Sequence, residues 1–201
     1  MINKIKYFKD KPGLADFLDL AVICVATIII AKLLTTFIVL TGFVPSQSME
    51  NLIMTNDRIF ADRMAYWNAE PQRGDIAVFY APDEKANGEI KHFVKRIIGL
   101  PGETVAFKDG YVYVDNVRLD EPYLEPDTST RSGKHDSFQV PEGYYFMLGD
   151  NRNNSSDSRE WDNSFVPFED IQGKVFIKFS LRWDNLHIKT VQSYNDYNTE
   201  E

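Results

Sequence analysis

Cysteine is nearly absent from this 201-residue sequence, because Cys24 is the only one. An internal disulfide is therefore excluded, and any folded domain must hold together by packing. The three histidines, His92, His135 and His187, are scattered, so none of the spacings typical of a metal site occurs and we expect no metal. Glycine-rich phosphate loops are missing as well, which leaves nucleotide chemistry without support, and we expect no cofactor.

Positive charge is also scarce, with 22 basic side chains against 30 acidic ones and a net charge of -8. Nucleic-acid binding requires clustered cations, so no nucleic-acid partner is expected. The charge is unevenly distributed along the chain: residues 1–13 carry four lysines and one aspartate, whereas residues 41–201 carry 17 basic and 27 acidic side chains. The chain thus has a cationic start and an acidic remainder.

Only one long apolar run separates these two parts, the 21 residues from Leu20 to Leu40, with Lys32 as its single charge. A helix of this length spans about 30 Å, the thickness of a hydrocarbon core. We therefore predict a transmembrane anchor over residues 14–41. The run is long for a cleavable signal peptide and leads into no A-x-A site, and core helices are rarely apolar all round. The lysines before it predict a cytoplasmic N-terminus (residues 1–13) and place the rest on the outer face of the cell membrane.

Beyond the anchor, helical periodicity is absent and short runs rich in Val, Ile, Phe and Tyr alternate with turn signals such as Asp109-Gly110 and Pro101-Gly102. The sequence predicts an antiparallel β-domain over residues 42–192. Its expected strands are Asp57 to Ala65, Asp75 to Tyr80, Ile90 to Leu100, Thr104 to Phe107, Tyr111 to Val114, Tyr144 to Leu148 and Gly173 to Leu181. Residues 120–137 are interpreted as a surface loop without chemistry, and residues 193–201 as a flexible tail.

Four stretches of this domain carry groups capable of chemistry. Ser46-Gln47-Ser48-Met49 follows the anchor, and by itself it is typical of a linker. Lys95 lies among strand-forming apolar residues, where burial lowers a lysine pKa toward the range that a general base needs, although a lone strand lysine is usually exposed. The polar run 149–159 follows a hydrophobic strand, and Arg73-Gly74-Asp75 is a turn that opens into a strand.

Taken together, in this order and behind an apolar anchor, these stretches resemble the bacterial type I signal peptidases. The resemblance extends from the anchor to about residue 179 and rests on S-x-S-M, K-R-I-I-G-L-P-G-E and G-D-N-R-x-N-S-x-D-S-R. It implies a mainly β, antiparallel, barrel-like catalytic domain behind one N-terminal transmembrane helix. It also implies a membrane-bound serine endopeptidase that removes signal peptides from exported preproteins.

The resemblance assigns roles to matching residues. Ser48 resembles the nucleophile and Lys95 its general base, a Ser-Lys dyad. Ser46 resembles the side-chain donor of an oxyanion hole that it shares with the backbone N–H of Ser48. Ser155 resembles the hydroxyl that orients the lysine. The pairs Asp150 with Arg96 and Asp157 with Arg159 resemble supporting ion pairs.

The sequence departs from the family pattern at three positions. Gln47 stands where glycine is common, so the loop would be strained if this position requires a positive φ. Asn153 replaces a common aspartate, and Asp162 follows Trp161 where glycine is frequent. A histidine base is excluded by strand geometry, because His92 and Lys95 are three residues apart and point to opposite faces.

The nucleophile lies eight residues past Leu40, so it is at most about 26 Å beyond the end of the apolar run. We therefore expect an active site near the membrane lipid and a substrate that is itself membrane-inserted. By resemblance, the substrate is extended along strand edges, with small residues in shallow apolar pockets. We expect Val44, Met49, Phe93 and Val94 to line them.

Other functions remain open at this point. A self-cleaving repressor shares the dyad, but it would carry a DNA-binding module where this chain has an apolar run. A catalytically dead, membrane-anchored β-domain that acts as a binding protein is disfavoured by the presence of both Ser48 and Lys95. A processing peptidase for one client has the same sequence features as a general enzyme.

Overall fold

The computed structural model describes residues 13–83, 88, 90–181 and 186–191. The chain divides into two compact units, Met1–Ile38 and Val39–Glu201. Most of the predicted cytoplasmic N-terminus and the predicted tail lie outside the described residues.

In the described part of the first unit, residues 13–38, the chain forms one helix, α1 (Leu14–Phe37). Its apolar stretch, Asp16–Phe37, is long enough to cross a membrane, and none of it is buried in the structure. The described residues therefore do not support the alternative of a core helix. The helix also ends earlier than the predicted anchor, because Val39 and Leu40 pair with Asp62 and Ala61 in a β-ladder. Backbone pairing thus takes the last apolar residues into the second unit.

The second unit is built from twelve described strands, and every ladder between them is antiparallel. The strands are β1 (Val39–Phe43), β2 (Arg58–Asp62), β3 (Ile76–Tyr80), β4 (His92–Gly99), β5 (Thr104–Lys108), β6 (Tyr111–Val114), β7 (Val117–Arg118), β8 (Ser137–Gln139), β9 (Tyr144–Leu148), β10 (Val166–Pro167), β11 (Ile171–Leu181) and β12 (Leu186–Thr190). A single 3-10 turn, Phe168–Asp170, precedes β11. The prediction of a mainly antiparallel β-domain behind one apolar helix is confirmed.

Two sheets organise these strands. The larger has the order β1-β2-β11-β3-β4-β9-β10, with β12 paired to β11, and the smaller has the order β7-β6-β5-β8. Each of the seven predicted segments overlaps a strand, although β5 ends one residue later and β11 begins two residues earlier than predicted. The five strands that the sequence analysis missed, β1, β7, β8, β10 and β12, are at most five residues long, and β1 lies within the apolar run interpreted as anchor.

Residues 44–49, which follow β1, are fixed in place by side chains buried in the core of the larger sheet. Val44 and Met49, which flank Ser48, are 4% and 1% exposed and pack in one cluster with Ile53 and Ile59. Burying such side chains is worth roughly 1.5–3 kcal/mol each. The turn that carries Ser48 is therefore fixed by buried side chains before and after this residue.

The predicted surface loop, residues 120–137, lies only partly on the surface. Tyr123 and Thr130 are buried, and the side chain of Glu121 is 9% exposed. The interpretation as a surface loop is therefore wrong for these three residues, whose polar groups accept hydrogen bonds from the buried Arg152.

Candidate active site

Ser48 and Lys95, 47 residues apart in sequence, meet in the structure. Lys95 comes from β4, where it pairs with Ala77 of β3, and its Nζ lies 2.7 Å from Ser48 Oγ. The two residues are 7% and 4% exposed. A buried amine within hydrogen-bond distance of a hydroxyl is the geometry that a serine nucleophile and its base require.

Burial determines the acid–base behaviour of this lysine. Desolvation of the ammonium lowers the pKa of Lys95 to about 8, although the negative charges of Asp157 and Asp150 act in the opposite direction. Its Nζ also donates to the carbonyl of Val94 at 3.2 Å and lies 5.4 Å from the ring centroid of Phe93. A substantial fraction of this lysine is consequently neutral in mildly alkaline solution.

The turn that carries Ser48 is tied to the loop after β9. The carbonyl of Ser48 accepts a hydrogen bond from Asn151 N at 3.1 Å, and the carbonyl of Gln47 accepts one from Asn151 Nδ2, also at 3.1 Å. Asn154 Nδ2 donates to Gln47 Oε1 at 2.9 Å. Ser46 Oγ lies 3.2 Å from Ser48 Oγ. These contacts fix both residues from which the oxyanion hole is predicted.

Gln47 does not strain this turn, because it has no positive φ. The condition under which strain was expected is therefore not met. The side chain is instead accommodated by Asn154, and the turn obtains its positive φ from Asn51, at 86°. Asparagine tolerates that conformation better than most residues.

Both ion pairs named from the sequence form in the interior. Arg96 donates to Asp150 through Nε at 2.8 Å and Nη2 at 2.7 Å, and its Nη1 reaches the Gly74 carbonyl. Arg159 donates to Asp157 through Nε and Nη2, each at 2.8 Å. Bidentate pairs of this kind are directional and strong. The Arg96 pair fastens the loop after β9 to β4 and to the Arg73-Gly74-Asp75 turn, whereas the Arg159 pair lies within that loop.

Ser155 does not make the contact with Lys95 that the resemblance implies. Its Oγ is buried and has no hydrogen-bond partner among the described residues. The hydroxyl lies instead against Gly149, where an added Cβ would also come within 2.5 Å of the Ser48 carbonyl oxygen. The predicted role of Ser155 therefore stays a prediction.

The other two departures from the family pattern have partners of their own. Asn153 Nδ2 donates to the carbonyl of Ser129 at 2.8 Å. Asp162 forms an exposed ion pair with Lys134 at 2.5 Å. Both contacts join the loop after β9 to residues 120–137.

A cleft of about 510 Å³ opens beside the two candidate catalytic residues. Its walls are residues 43–49, residues 91–95, Asn154 and Ser156, so it includes all four residues expected to bind substrate. Val44 and Met49 are almost entirely buried, whereas Phe93 and Val94 are partly exposed. Of these four residues, the two on β4 are thus the more accessible.

His92 also borders the cleft but is not placed as a base for Ser48. Its ring lies 4.9 Å from the ring of Tyr80, between centroids, and burial together with the charge of Arg63 lowers its pKa. No hydrogen bond joins it to Ser48 among the described contacts. Within the described part of the chain, no cluster of His, Cys, Asp and Glu suited to a metal ion occurs.

Sequence reasoning missed several residues of the site. Asn151 and Asn154 lie in the quoted polar run, but nothing in the sequence indicated that they reach Gln47. Arg152 lies in the same run and is buried, with its partner Glu121 31 residues away. A carboxylate at that separation has no local signal that would identify it.

The chain is similar to known proteins over most of its length. The family described as signal peptidase, peptidase S26, matches residues 17–180. A probable signal peptidase I-2 from Synechocystis sp. is 39% identical over 172 residues, which cover 85% of this chain and 77% of the relative. Signal peptidase I S from Bacillus subtilis is 36% identical over 154 residues, covering 72% of this chain and 79% of the relative.

A crystal structure of a signal peptidase I from Enterococcus faecalis V583 has a TM-score of 0.42 at 36% identity. The match covers 52% of this chain and 96% of that one. The family match and the two relatives together establish the classification: this chain belongs to the signal peptidase I family of serine proteases, the S26 peptidases.

Proposed function

We propose that this protein removes signal peptides from exported preproteins with Ser48 as nucleophile and Lys95 as general base. The observation that carries the proposal is the 2.7 Å distance between Lys95 Nζ and Ser48 Oγ in a buried setting. Burial lowers the pKa of Lys95 to about 8, which makes the amine a competent proton acceptor near neutral pH.

The proposed cycle has two halves. Lys95 accepts the proton of Ser48 as Oγ attacks the scissile carbonyl, and the resulting ammonium passes that proton to the departing amine. The acyl group stays on Ser48 until Lys95 deprotonates a water molecule, which attacks the ester and releases the cleaved signal peptide. The N–H of Ser48 and the hydroxyl of Ser46 stabilise the oxyanion in both halves, and one such donor is worth about 3–4 kcal/mol.

In this proposal the substrate lies in the cleft between residues 43–49 and 91–95. Val44, Met49, Phe93 and Val94 contact its small side chains near the scissile bond. Asp150, Arg96, Asp157 and Arg159 position the loop after β9, and Ser155 orients the lysine once substrate is bound. The buried hydroxyl of Ser155 beside Gly149 supports that assignment, since it has no other described partner.

We also propose that α1 anchors the chain in the cell membrane as a single span, with the N-terminus in the cytoplasm and the catalytic domain on the outer face. The length and apolar composition of Asp16–Phe37 support the span, and the lysines of residues 1–13 support its orientation. Membrane lipid and the signal peptides of preproteins are then its partners.

Replacing Ser48 by alanine tests the proposed function. We expect the Ser48→Ala variant to lose at least about a thousandfold in processing rate on a preprotein in lipid, because the acyl-enzyme cannot form. Its circular dichroism spectrum should stay that of the wild type. Ser137→Ala, which changes an exposed serine of β8, is the matched control and should cleave normally. Near-normal processing by Ser48→Ala would sink the assignment.

A further inference from the structure

Arg152 is a buried cation with an unusually complete set of partners. Its side chain has no exposed surface, and each of its N–H groups has an acceptor. Nε donates to the Gly149 carbonyl at 3.2 Å, Nη1 to Glu121 Oε2 and Thr130 Oγ1 at 3.0 Å each, and Nη2 to Glu121 Oε1 and Tyr123 Oη. Three of its four partner residues lie in residues 121–130, which we call the bracing segment.

The bracing segment supplies the carboxylate that pairs with Arg152 of the loop after β9. Within that loop and β4, the arginines Arg96 and Arg159 are paired with Asp150 and Asp157. Arg152 is a third buried arginine, and its carboxylate partner is Glu121, whose side chain is 9% exposed. A buried charge without a partner is strongly destabilising. The carboxylate of Glu121 therefore balances the charge of this third buried arginine.

Contacts of the same segment also reach β4 next to Lys95. Tyr123 Oη donates to Glu121 Oε1 at 2.7 Å, and its ring lies 3.9 Å from the guanidinium carbon of Arg96. Arg96 is the residue that follows Lys95 in β4. A single carboxylate is thus connected, through Tyr123 and Arg96, to the strand that carries the base.

Arg152 is also connected to Ser48 by a short series of contacts. Arg152 holds the carbonyl of Gly149, and the Cα of Gly149 packs against the carbonyl of Ser48 so closely that a Cβ there would lie 2.5 Å from that oxygen. Asn151, between Asp150 and Arg152, donates its N–H to the same Ser48 carbonyl at 3.1 Å. Displacing Arg152 would therefore shift Gly149 and Asn151, the two residues that contact the carbonyl of Ser48.

We propose that Glu121 is a positioning residue of this site: from outside the stretches that resemble the family, it holds Arg152 and thereby sets the Ser48–Lys95 geometry. This inference rests on the proposed function of the dyad. Glu121 is not part of the cleft wall, which is formed by residues 43–49, 91–95, Asn154 and Ser156. It acts on the chemical step and leaves substrate binding unchanged.

The test is Glu121→Gln in the full-length protein, assayed on a preprotein with a cleavable signal peptide. The substitution keeps the size of the side chain but leaves the charge of Arg152 unbalanced. We expect kcat to fall by about tenfold or more, with KM within about twofold of wild type. Glu125→Gln, which neutralises an exposed carboxylate of the same segment, should leave both constants unchanged.

A second control separates positioning from loss of stability. Leu119 is partly buried against the core cluster that includes Val105 and Phe138, so Leu119→Ala should lower the melting temperature while kcat stays near wild type. If Glu121→Gln does not fold, Tyr123→Phe decides the question. That variant removes only the hydroxyl contacts and should reduce kcat by about two- to fivefold at unchanged KM.

The inference is overturned if kcat of Glu121→Gln stays within twofold of wild type, or if Leu119→Ala loses kcat to the same extent. For an unfolded Glu121→Gln, an unchanged kcat in Tyr123→Phe overturns it. Ser48→Ala, run in parallel, separates this failure from a failure of the proposed function. If Ser48→Ala is inactive while Glu121→Gln is fully active, the role of Glu121 is disproved and the proposed function of the dyad stands.

Discussion

Lys95 shows how one side chain obtains its chemistry from its position. The residue lies in β4 between Val94 and Arg96, and its own sequence neighbours are an apolar residue and a cation. Its pKa is lowered mainly because the strand buries the ammonium, while Asp157 and Asp150 oppose the effect without cancelling it. An exposed lysine at the same place would stay protonated at neutral pH and would be no base.

The pH dependence of cleavage follows from this lowered pKa. In the proposed mechanism Lys95 acts as a base only when neutral, so activity should fall as the pH drops below about 8, by about tenfold per pH unit well below that value. We expect this acid limb in kcat/KM measured on a peptide substrate from pH 5 to 9. Circular dichroism at each pH controls for unfolding. A flat profile over the range would contradict a titrating lysine base.

At the scale of elements, the loop after β9 is the part that assembles the site. It contacts the turn that carries Ser48 through Asn151 and Asn154, β4 through Asp150, and the bracing segment through Arg152. Gly149 begins the loop and allows this convergence, because it lacks the Cβ that would collide with Ser155 and the Ser48 carbonyl.

Adding a single methyl group at Gly149 tests that role. A Cβ there would lie 2.5 Å from the Ser48 carbonyl oxygen and 2.6 Å from Ser155 Cβ, so the nucleophile turn or the loop must move. We expect Gly149→Ala to lose about 1–3 kcal/mol of stability and at least about tenfold in kcat.

Gly42→Ala is the matched control for this substitution. Its Cβ would meet only side-chain carbons of Ile59, the nearest at 3.3 Å, so a smaller effect on both measurements is expected. Chemical denaturation and steady-state cleavage provide the two readouts. Wild-type activity in Gly149→Ala would show that the close approach is not needed.

At the scale of the whole molecule, the second unit contains every described core cluster. The three clusters draw their buried residues from positions 40 to 191, and the apolar stretch of α1 contributes none. With only Cys24 available, no internal disulfide contributes to the stability of the fold. Core packing and the buried ion pairs must therefore hold the unit together.

A chain that begins at Val39 should consequently fold alone. We expect its melting temperature to lie within about 3 °C of the full-length protein in detergent, since all three described core clusters lie between residues 40 and 191. It should also cleave a soluble peptide that spans a signal-peptide cleavage site. Scanning calorimetry and peptide cleavage measure the two properties. A shortened chain without a cooperative transition would contradict the independence of the unit.

Much of this architecture could be predicted from local sequence. Seven strands followed from short apolar runs bounded by turns, since alternation and turn chemistry act over a few residues. Ser48, Lys95 and the two ion pairs followed from three motifs whose order resembles that of a known family, whereas the contacts of Asn151, Asn154 and Glu121 did not. The end of the helix could not be predicted, because Val39 and Leu40 are as apolar as the residues before them and only pairing with β2 assigns them to a strand.

The sequence by itself thus determined the class of fold, the single apolar helix, and the identity of Ser48 and Lys95 as candidates. Only the tertiary structure decided that these two residues meet, that Gln47 is unstrained, that Ser155 lacks its expected partner, and that Glu121 balances Arg152. The physical reason is distance along the chain. Contacts between residues 31 or 47 positions apart arise from strand order and burial, which no local pattern encodes.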